Sequence, residues 1–258
     1  MADVNRPLFG WRVLIPRGGP WGDGVAAALR RLGATPTVAP MIDFSPTDDS
    51  AGLSAALQRL ANGEFDWLTA TSATVVDVLA HHHIEIPPTT KVAAVGETTA
   101  AAFAALGYTV SRVPVHDNTA AGLLAEWDEV KTGERLRVLT MRSDVAKPVL
   151  TEGLIALGHD VTQVIAFRTV GVPVSPQVRA SVAAGKYQAI IISSGAVATQ
   201  IRDQFDTIPP ETLLVCVGPQ TQRDAEALGL RVNIVAGART VESLIEAVVS
   251  VADNMAGE

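Results

Sequence analysis

Short continuous apolar runs alternate along the chain with longer stretches whose apolar residues recur every three or four positions. Residues 11–17, WRVLIPR, form an apolar run bounded by turn residues, which predicts a buried strand. The glycine-rich GGPWGDG that follows reads as a loop. Val25, Ala28, Leu29 and Leu32 then lie at helical spacing, with Gly33 placed to cap the helix. Residues 35–40 predict a second strand, completing a βαβ unit. A proline-bounded extended stretch, 40–49, interrupts this rhythm, and it resumes with a helix over 53–60, a strand over 66–71 and a helix over 72–79. Residues 91–114 read as strand, turn, helix, turn, strand. A helix over 120–127, a strand over 137–142, a helix over 147–157 and a strand over 160–164 come next. A second extended bridge, IAFRTVGVP at 165–173, precedes a helix over 176–184, a strand over 189–193 and a final helix over 241–251, with a polar frayed tail. Strands that are apolar throughout, each followed by a helix, are the signature of parallel sheet covered on both faces.

The pattern repeats. Val95, Gly96, Thr99, Leu106, Gly107 and Val110 recur as Val217, Gly218, Thr221, Leu228, Gly229 and Val232, all at one offset of 122 residues. Thr71–Ser72 maps onto Ser193–Ser194 at the same offset, and Thr119 answers Thr240 one residue out of step. A second echo links Arg17 to Arg142 and Leu32–Gly33 to Leu157–Gly158 at an offset of 125. A gapless offset means internal duplication. With R for the arginine-bearing unit and V for the Val–Gly unit, the chain reads R, V, R, V, and a proline-bounded bridge follows each R. Two bridges at equivalent points imply that the chain leaves one domain and comes back. The expected division is 1–40 with 173–258 as one domain and 47–164 as an inserted one, with linker strands over 41–46 and 165–172. Each domain is expected to hold five parallel strands, in the first beginning near Val13, Thr35, Ala189, Leu213 and Arg231. Their expected order is the flavodoxin-like 2-1-3-4-5.

Composition narrows the chemistry. The chain has 258 residues, enough to bury roughly three quarters of its unfolded surface without a staple. Its one cysteine, Cys216, sits in the apolar run LLVCVG, where a buried side chain is expected rather than a nucleophile or a disulfide. The net charge of −7 argues against nucleic acid as a partner, because phosphate binding needs a basic stripe. MADVNRPLFGW offers no apolar signal segment, and no run approaches the roughly 20 residues of a membrane span, so a cytoplasmic protein is expected. His81, His82 and His83 are consecutive and point apart on a helix, which predicts an exposed helix end and no metal site.

Ligands of open α/β sheets bind beyond the carboxyl ends of the strands. Those ends here are Arg17–Gly18, Thr71–Ser72, Gly96–Glu97–Thr98–Thr99, Arg142–Ser143, Ser193–Ser194 and Gly218 through Gln220 and Thr221, with Lys147 opening the helix after Arg142. Glycines, small hydroxyls, arginines and helix starts suit an anion. Each hydroxyl also suits ordinary N-capping. No Walker loop, HExxH, GxSxG or Ser/His/Asp set is present.

The order and spacing of VLIPRGG, DWLTATSA, VAAVGETTAAAFAALGY, VLTMRSDVAKPVLTEGLIALG, the AFRT bridge, IIISSGAV, VCVGPQTQRDAEALG and ARTVESLIEAV resemble the uroporphyrinogen-III synthase family over about residues 11–251. The resemblance implies two flavodoxin-like domains joined by a two-stranded β-ladder, with the active site in the cleft between them. It implies a cyclising hydro-lyase that closes the linear tetrapyrrole hydroxymethylbilane to uroporphyrinogen III, with loss of water and inversion of ring D. It implies no metal or organic cofactor, no nucleic acid or membrane partner, and a monomer. By the same resemblance Thr99 and Thr240 match family threonines at the catalytic site, and the carboxylate-rich substrate it implies would be held by the N–H groups and cations that the strand ends above supply. Phe167 stands where the family often has tyrosine, so the phenol is absent. That departure leaves a second reading open, a non-catalytic module that senses a tetrapyrrole or another polycarboxylate.

Overall fold

The computed structural model describes residues 6–127, 134–238 and 240–256. The chain divides into two compact units, one made of residues 1–43 and 170–258 and the other of residues 44–169.

The first unit is built on β1 (Arg12–Ile15), β2 (Thr35–Val38), β8 (Ala189–Ile192), β9 (Leu213–Cys216) and β10 (Ile234–Val235), ordered β10-β9-β8-β1-β2. Their pairings are all parallel, with Val13 opposite Pro36 and Ala189, and Ile192 opposite Cys216. Counted along the chain within the unit, this order is 2-1-3-4-5. Side chains alternate across the sheet. Val13, Ile15, Ile191 and Val215 pack on one face with Val25 and Leu29 of α1 (Gly19–Arg31) and Leu244 and Val248 of α10 (Val241–Ala256). Leu14, Ile190, Ile192, Leu214 and Cys216 pack on the other. There they meet Val182 of α7 (Pro176–Ala183), Val197 and Ile201 of α8 (Gly195–Gln204) and Ala225 of α9 (Pro219–Ala227). Burial on both faces explains why these strands read as unbroken apolar runs.

The second sheet holds β3 (Ile42–Pro46), β4 (Trp67–Ala70), β5 (Lys91–Ala94), β6 (Arg137–Ser143) and β7 (Asp160–Gly171), ordered β3-β7-β6-β4-β5, with the unit boundary passing through β3 and β7. Its helices α2 (Ser50–Ala61), α3 (Thr74–His81) and α4 (Glu97–Ala105) supply Leu57, Val76 and Phe103 to one face. α5 (Ala120–Ala125) and α6 (Val149–Ala156) supply Leu123, Leu150 and Leu154 to the other. The duplication is structural. Trp67 and Ala189, Lys91 and Leu213, and Glu97 and Pro219 open paired elements and are each 122 residues apart, while Arg12 with Arg137 and Thr35 with Asp160 are 125 apart. The run β7-β6-β4-β5 therefore repeats β2-β1-β8-β9, with the R and V parts joined in the opposite chain order.

Four expectations change. GGPWGDG is not a loop: α1 begins at Gly19 with a proline in its first positions. Gly22 is needed there because a Cβ would lie 2.1 Å from the Arg17 carbonyl oxygen. The strand expected before Pro114 contracts to one parallel bridge between Ala93 and Arg112. Its backbone still bonds to β5 through the Ser111 N–H and the Arg112 carbonyl. Just beyond it, Arg112 Nη1 donates to the Glu126 carbonyl at 2.5 Å, and the Glu126 carboxylate accepts from the Val115 and His116 N–H groups at 2.9 and 3.0 Å. Those N–H bonds hold the Glu126 carboxyl below its usual range. Its fifth-position counterpart β10 is itself only 2 residues long. The tail is not frayed through Ala256, since α10 carries its apolar stripe on to a buried Ala252. Finally, the 165–173 bridge is not separate from the preceding strand, because β7 runs unbroken from Asp160 to Gly171.

One ion pair ties the starts of β4 and β6. Asp66 accepts from the Arg137 backbone N–H at 2.8 Å and from Nη2 at 2.7 Å, and its own N–H donates to the Arg137 carbonyl at 2.9 Å. The Arg137 side-chain bond is the main reason the Asp66 carboxyl sits below its ordinary range. A depressed carboxyl stabilises the fold above its unfolded value near ~3.9, and that contribution is lost as pH falls through the folded value. The Asp66→Asn variant should therefore be less stable by about 1 kcal/mol at pH 7 in urea denaturation, the pair being half exposed. The difference should shrink as the pH falls below about 4 and vanish once it lies below the folded value.

Candidate functional site

In a parallel sheet every strand ends at the same edge, and the helix that follows starts there. In the first unit β1, β8 and β9 are adjacent, so Arg17–Gly18, Ser193–Ser194 and the Gly218–Thr221 turn share one edge. In the second unit β6, β4 and β5 are adjacent and gather Arg142–Lys147, Thr71–Ser72 and Gly96–Thr99 in the same way. Each edge presents helix-start N–H groups, which favour an anion.

The side chains differ in what they have left to offer. Ser194 Oγ accepts from the Val197 N–H at 3.3 Å and caps α8. Ser72 Oγ accepts from the Thr74 N–H at 3.2 Å. Thr240 Oγ1 accepts from the Ser243 N–H at 3.1 Å, and Thr119 caps α5 through the Gly122 N–H at 3.1 Å. The two threonines that were one residue out of step thus hold the same local role. Thr99 and Thr221 are both 4% exposed, and the Thr99 hydroxyl donates to the Val95 carbonyl one turn back at 3.4 Å. Gly96, with φ +92°, occupies the left-handed region that lets β5 turn into α4. Glu97, Thr98 and Lys147 are exposed, and Thr71 is half-buried. Gln220 is engaged within α9, donating to Asp224 at 3.0 Å and accepting from Arg223 at 2.8 Å. Ser193 is 5% exposed, and its hydroxyl has no hydrogen-bond partner among the described residues.

The two repeat-related arginines have diverged. The Arg17 guanidinium carbon lies 5.2 Å from the centroid of the Trp21 ring on the first turn of α1. The Arg142 guanidinium turns onto its own loop, where Nη1 donates to the Ser143 carbonyl at 2.9 Å, to that of Asp144 at 3.4 Å and to that of Ala146 at short range. Ser143 itself is buried. Phe167 belongs to the core of the second unit at 3% exposed and meets the exposed Phe44 edge-on at 5.2 Å. Cys216 is fully buried, and desolvation pushes its thiol up to about 12. The three histidines end α3, exposed, and no group of three or more His, Cys, Asp or Glu among the described residues can hold a metal ion.

Periodicity gave no warning of some contacts. Trp127 Nε1 donates to His159 Nε2 at 3.0 Å in the core beneath α5, and Asp144 Oδ1 accepts from the Thr169 N–H at 2.9 Å. An open cavity of about 520 Å³ lies beside Arg112, His116 and Glu126. Polar residues at exposed-looking positions carry no sequence signal for which backbone group they will meet.

The family model described as uroporphyrinogen-III synthase HemD matches residues 23–246. The chain belongs to this family. A porphyrin biosynthesis protein HemD from Ruminiclostridium josui is 25% identical over 253 residues, a match that takes in 94% of this chain and 49% of that protein. The chain thus spans about half the length of the curated relative it matches. Two solved uroporphyrinogen-III synthases share the fold. The enzyme of Thermus thermophilus, solved as a triple mutant, is 17% identical with a TM-score of 0.61, over 95% of this chain and 99% of that one. The Helicobacter pylori enzyme is 14% identical with a TM-score of 0.63, over 93% and 99%. Within the family match fall all the candidate residues except Arg17 and Gly18.

The capping role of Thr240 can be separated from any other. Thr240→Ala should cost about 1 kcal/mol in urea denaturation and Thr240→Asn should restore most of it, because asparagine caps as well as threonine does. Cys216 should resist thiol reagents in the folded protein and react at the rate of global unfolding, as read by mass spectrometry of the labelled chain.

Proposed function

We propose that the chain is a uroporphyrinogen-III synthase, closing hydroxymethylbilane to uroporphyrinogen III with loss of water. Family membership across residues 23–246 is the observation that carries this reading. The finer architecture we propose is two flavodoxin-like units joined by β3 and β7, neighbours in the second sheet. We read it as a cytoplasmic monomer that works without a metal or an organic cofactor.

The chemistry asks little of acids and bases. The hydroxyl of the hydroxymethyl carbon takes a proton and leaves as water, driven by the adjacent pyrrole nitrogen, and an azafulvenium cation remains. The substituted carbon of ring D attacks that cation and gives a spiro intermediate. Fragmentation and reclosure at the alternative carbon invert the ring, and loss of a proton restores the pyrrole. Closure without guidance gives the I isomer, so the protein's contribution is orientation and electrostatics. A substrate rich in carboxylates is held by helix-start N–H groups after β4, β5, β8 and β9 and by the cations Arg17 and Lys147. Thr98 and Glu97 are exposed at the same edge, while Thr99 and Thr221 shape the turns from inside. Phe167, buried against Phe44, contributes packing and supplies no proton.

Purified protein given hydroxymethylbilane should yield the III isomer, resolved from the I isomer by chromatography after oxidation. Recovery of the I isomer alone, with ligand-dependent thermal stabilisation, would instead indicate a binding module. The Phe167→Leu variant should keep kcat within about threefold, since no proton transfer is asked of this position, with a stability loss of ~1 kcal/mol from repacking.

A further inference from the structure

The gapless repeat supplies an internal control for the strand-amino edge of each sheet, opposite to the edge that gathers the helix starts. Residues 205–214 correspond to 83–92 and residues 225–231 to 103–109, again 122 apart. The bonds correspond as well. Thr90 Oγ1 donates to the Phe65 carbonyl at 2.7 Å, and Thr212 Oγ1 to the Tyr187 carbonyl at 2.8 Å. The Tyr108 N–H donates to the Phe103 carbonyl at 3.0 Å, and the Leu230 N–H to the Ala225 carbonyl at 3.0 Å. Both copies therefore have the same two walls, a proline-containing segment after α3 or α8 and a glycine turn after α4 or α9.

What lies between the walls differs. In the second unit Tyr108 bridges them. Its hydroxyl donates to the Ile84 carbonyl at 2.7 Å, and its half-buried ring meets Phe103 edge-on at 6.2 Å. The counterparts of Tyr108, Ile84 and Phe103 are Leu230, Asp206 and Ala225, so both rings and the phenol hydroxyl are missing from the first unit. There Leu230 and Asp206 line a cavity of about 450 Å³, with the buried Phe205 and the half-buried Ile208 among its apolar walls. Small-molecule sites occupy roughly 300–1,000 Å³. The Asp206 carbonyl, counterpart of the acceptor of the Tyr108 bond, takes no hydrogen bond from a described residue. Arg202 and Arg231 line the same cavity where the other copy has Ala80 and Thr109. Arg202 pairs with Asp203 at 2.6 Å, and Arg231 bonds the Pro210 carbonyl. Those bonds use in-plane N–H groups and leave the flat guanidinium faces for an aromatic ring.

We propose that the cavity of the first unit is a binding site for a small phenol, a ligand that brings from outside the ring and hydroxyl that Tyr108 supplies to the second unit from within the chain. The ring lies against Phe205, Ile208 and Leu230, and the hydroxyl donates to the Asp206 carbonyl. The site belongs to one unit alone. It stands away from the strand-carboxyl edge used by the proposed function and does not depend on that reading.

The probe is p-cresol, the tyrosine side chain as a free molecule, with toluene as the same ring without the hydroxyl. In proton–nitrogen correlation spectra of the whole chain, p-cresol should shift the amide resonances of residues 205–208 and 228–231. It should bind about fivefold more tightly than toluene, the worth of one hydrogen bond. Leu230→Tyr should fill the cavity, abolish those shifts and raise Tm. Tyr108→Leu should lower Tm and open a second site, seen as new p-cresol shifts at residues 84–86 and 106–109 and as recovery of Tm with millimolar p-cresol. An absence of shifts at the cavity residues, toluene binding as tightly as p-cresol, or p-cresol binding unchanged in Leu230→Tyr would overturn the proposal. If either variant fails to fold, titration of the wild-type protein with the two probes decides alone.

Discussion

A parallel strand cannot reach its neighbour through a tight turn. It needs a crossover, and a crossover that starts at the carboxyl end of one strand must finish at the amino end of the next. Both sheets of this protein obey that constraint. It explains why their central strands are apolar on both faces, why helices cover each side, and why the helix starts collect at one edge of each unit. The candidate site is a by-product of the same constraint. Gly96 and Gly218 sit at equivalent edge turns, where a chain leaving a strand must bend into a helix, and the N–H groups exposed by that bend attract negative charge whatever the ligand.

The duplication shows how much can diverge while the frame is kept. Elements open 122 residues apart in the V parts and 125 in the R parts, and the strand order is preserved. The side chains on that frame have gone separate ways. Arg17 stacks on an indole, whereas Arg142 has become part of the backbone architecture of its own loop. Thr99 and Thr221 stay equally buried, and Thr119 and Thr240 both remain caps. Positions that serve the crossover are retained in both copies, and positions that face outward are where the copies differ.

Much of the frame was legible in the sequence for the same reason. Burial on two faces writes an unbroken apolar run into each strand, and a gapless repeat writes the same spacing twice. Legibility failed where local chemistry outweighed pattern. A glycine-rich stretch reads as a loop, yet Pro20 and a Gly22 pressed against the Arg17 carbonyl start a helix there. The 108–114 segment has a strand's apolar content, but it meets β5 only around Ser111 and Arg112, and the chain just beyond it is held by the Glu126 carboxylate. At the site, residue types and strand ends were readable. That Arg142 would turn inward to three carbonyls was not, since no periodicity encodes the direction of a long polar side chain.

The discontinuity of the first unit bears on the order in which the protein can form. During synthesis the inserted unit is complete once Thr169 has emerged, while β1 and β2 must wait for β8, the central neighbour of β1. Until then the βαβ segment of this unit has the β8 edge of β1 bare, and Leu14 lacks the helices that cover its face. The ribosome thus delivers a finished module before the one that precedes it in sequence. The first-made part of this unit waits longest for its partners, and its exposed edge is where a chaperone, or a second nascent chain, has the longest opportunity to bind.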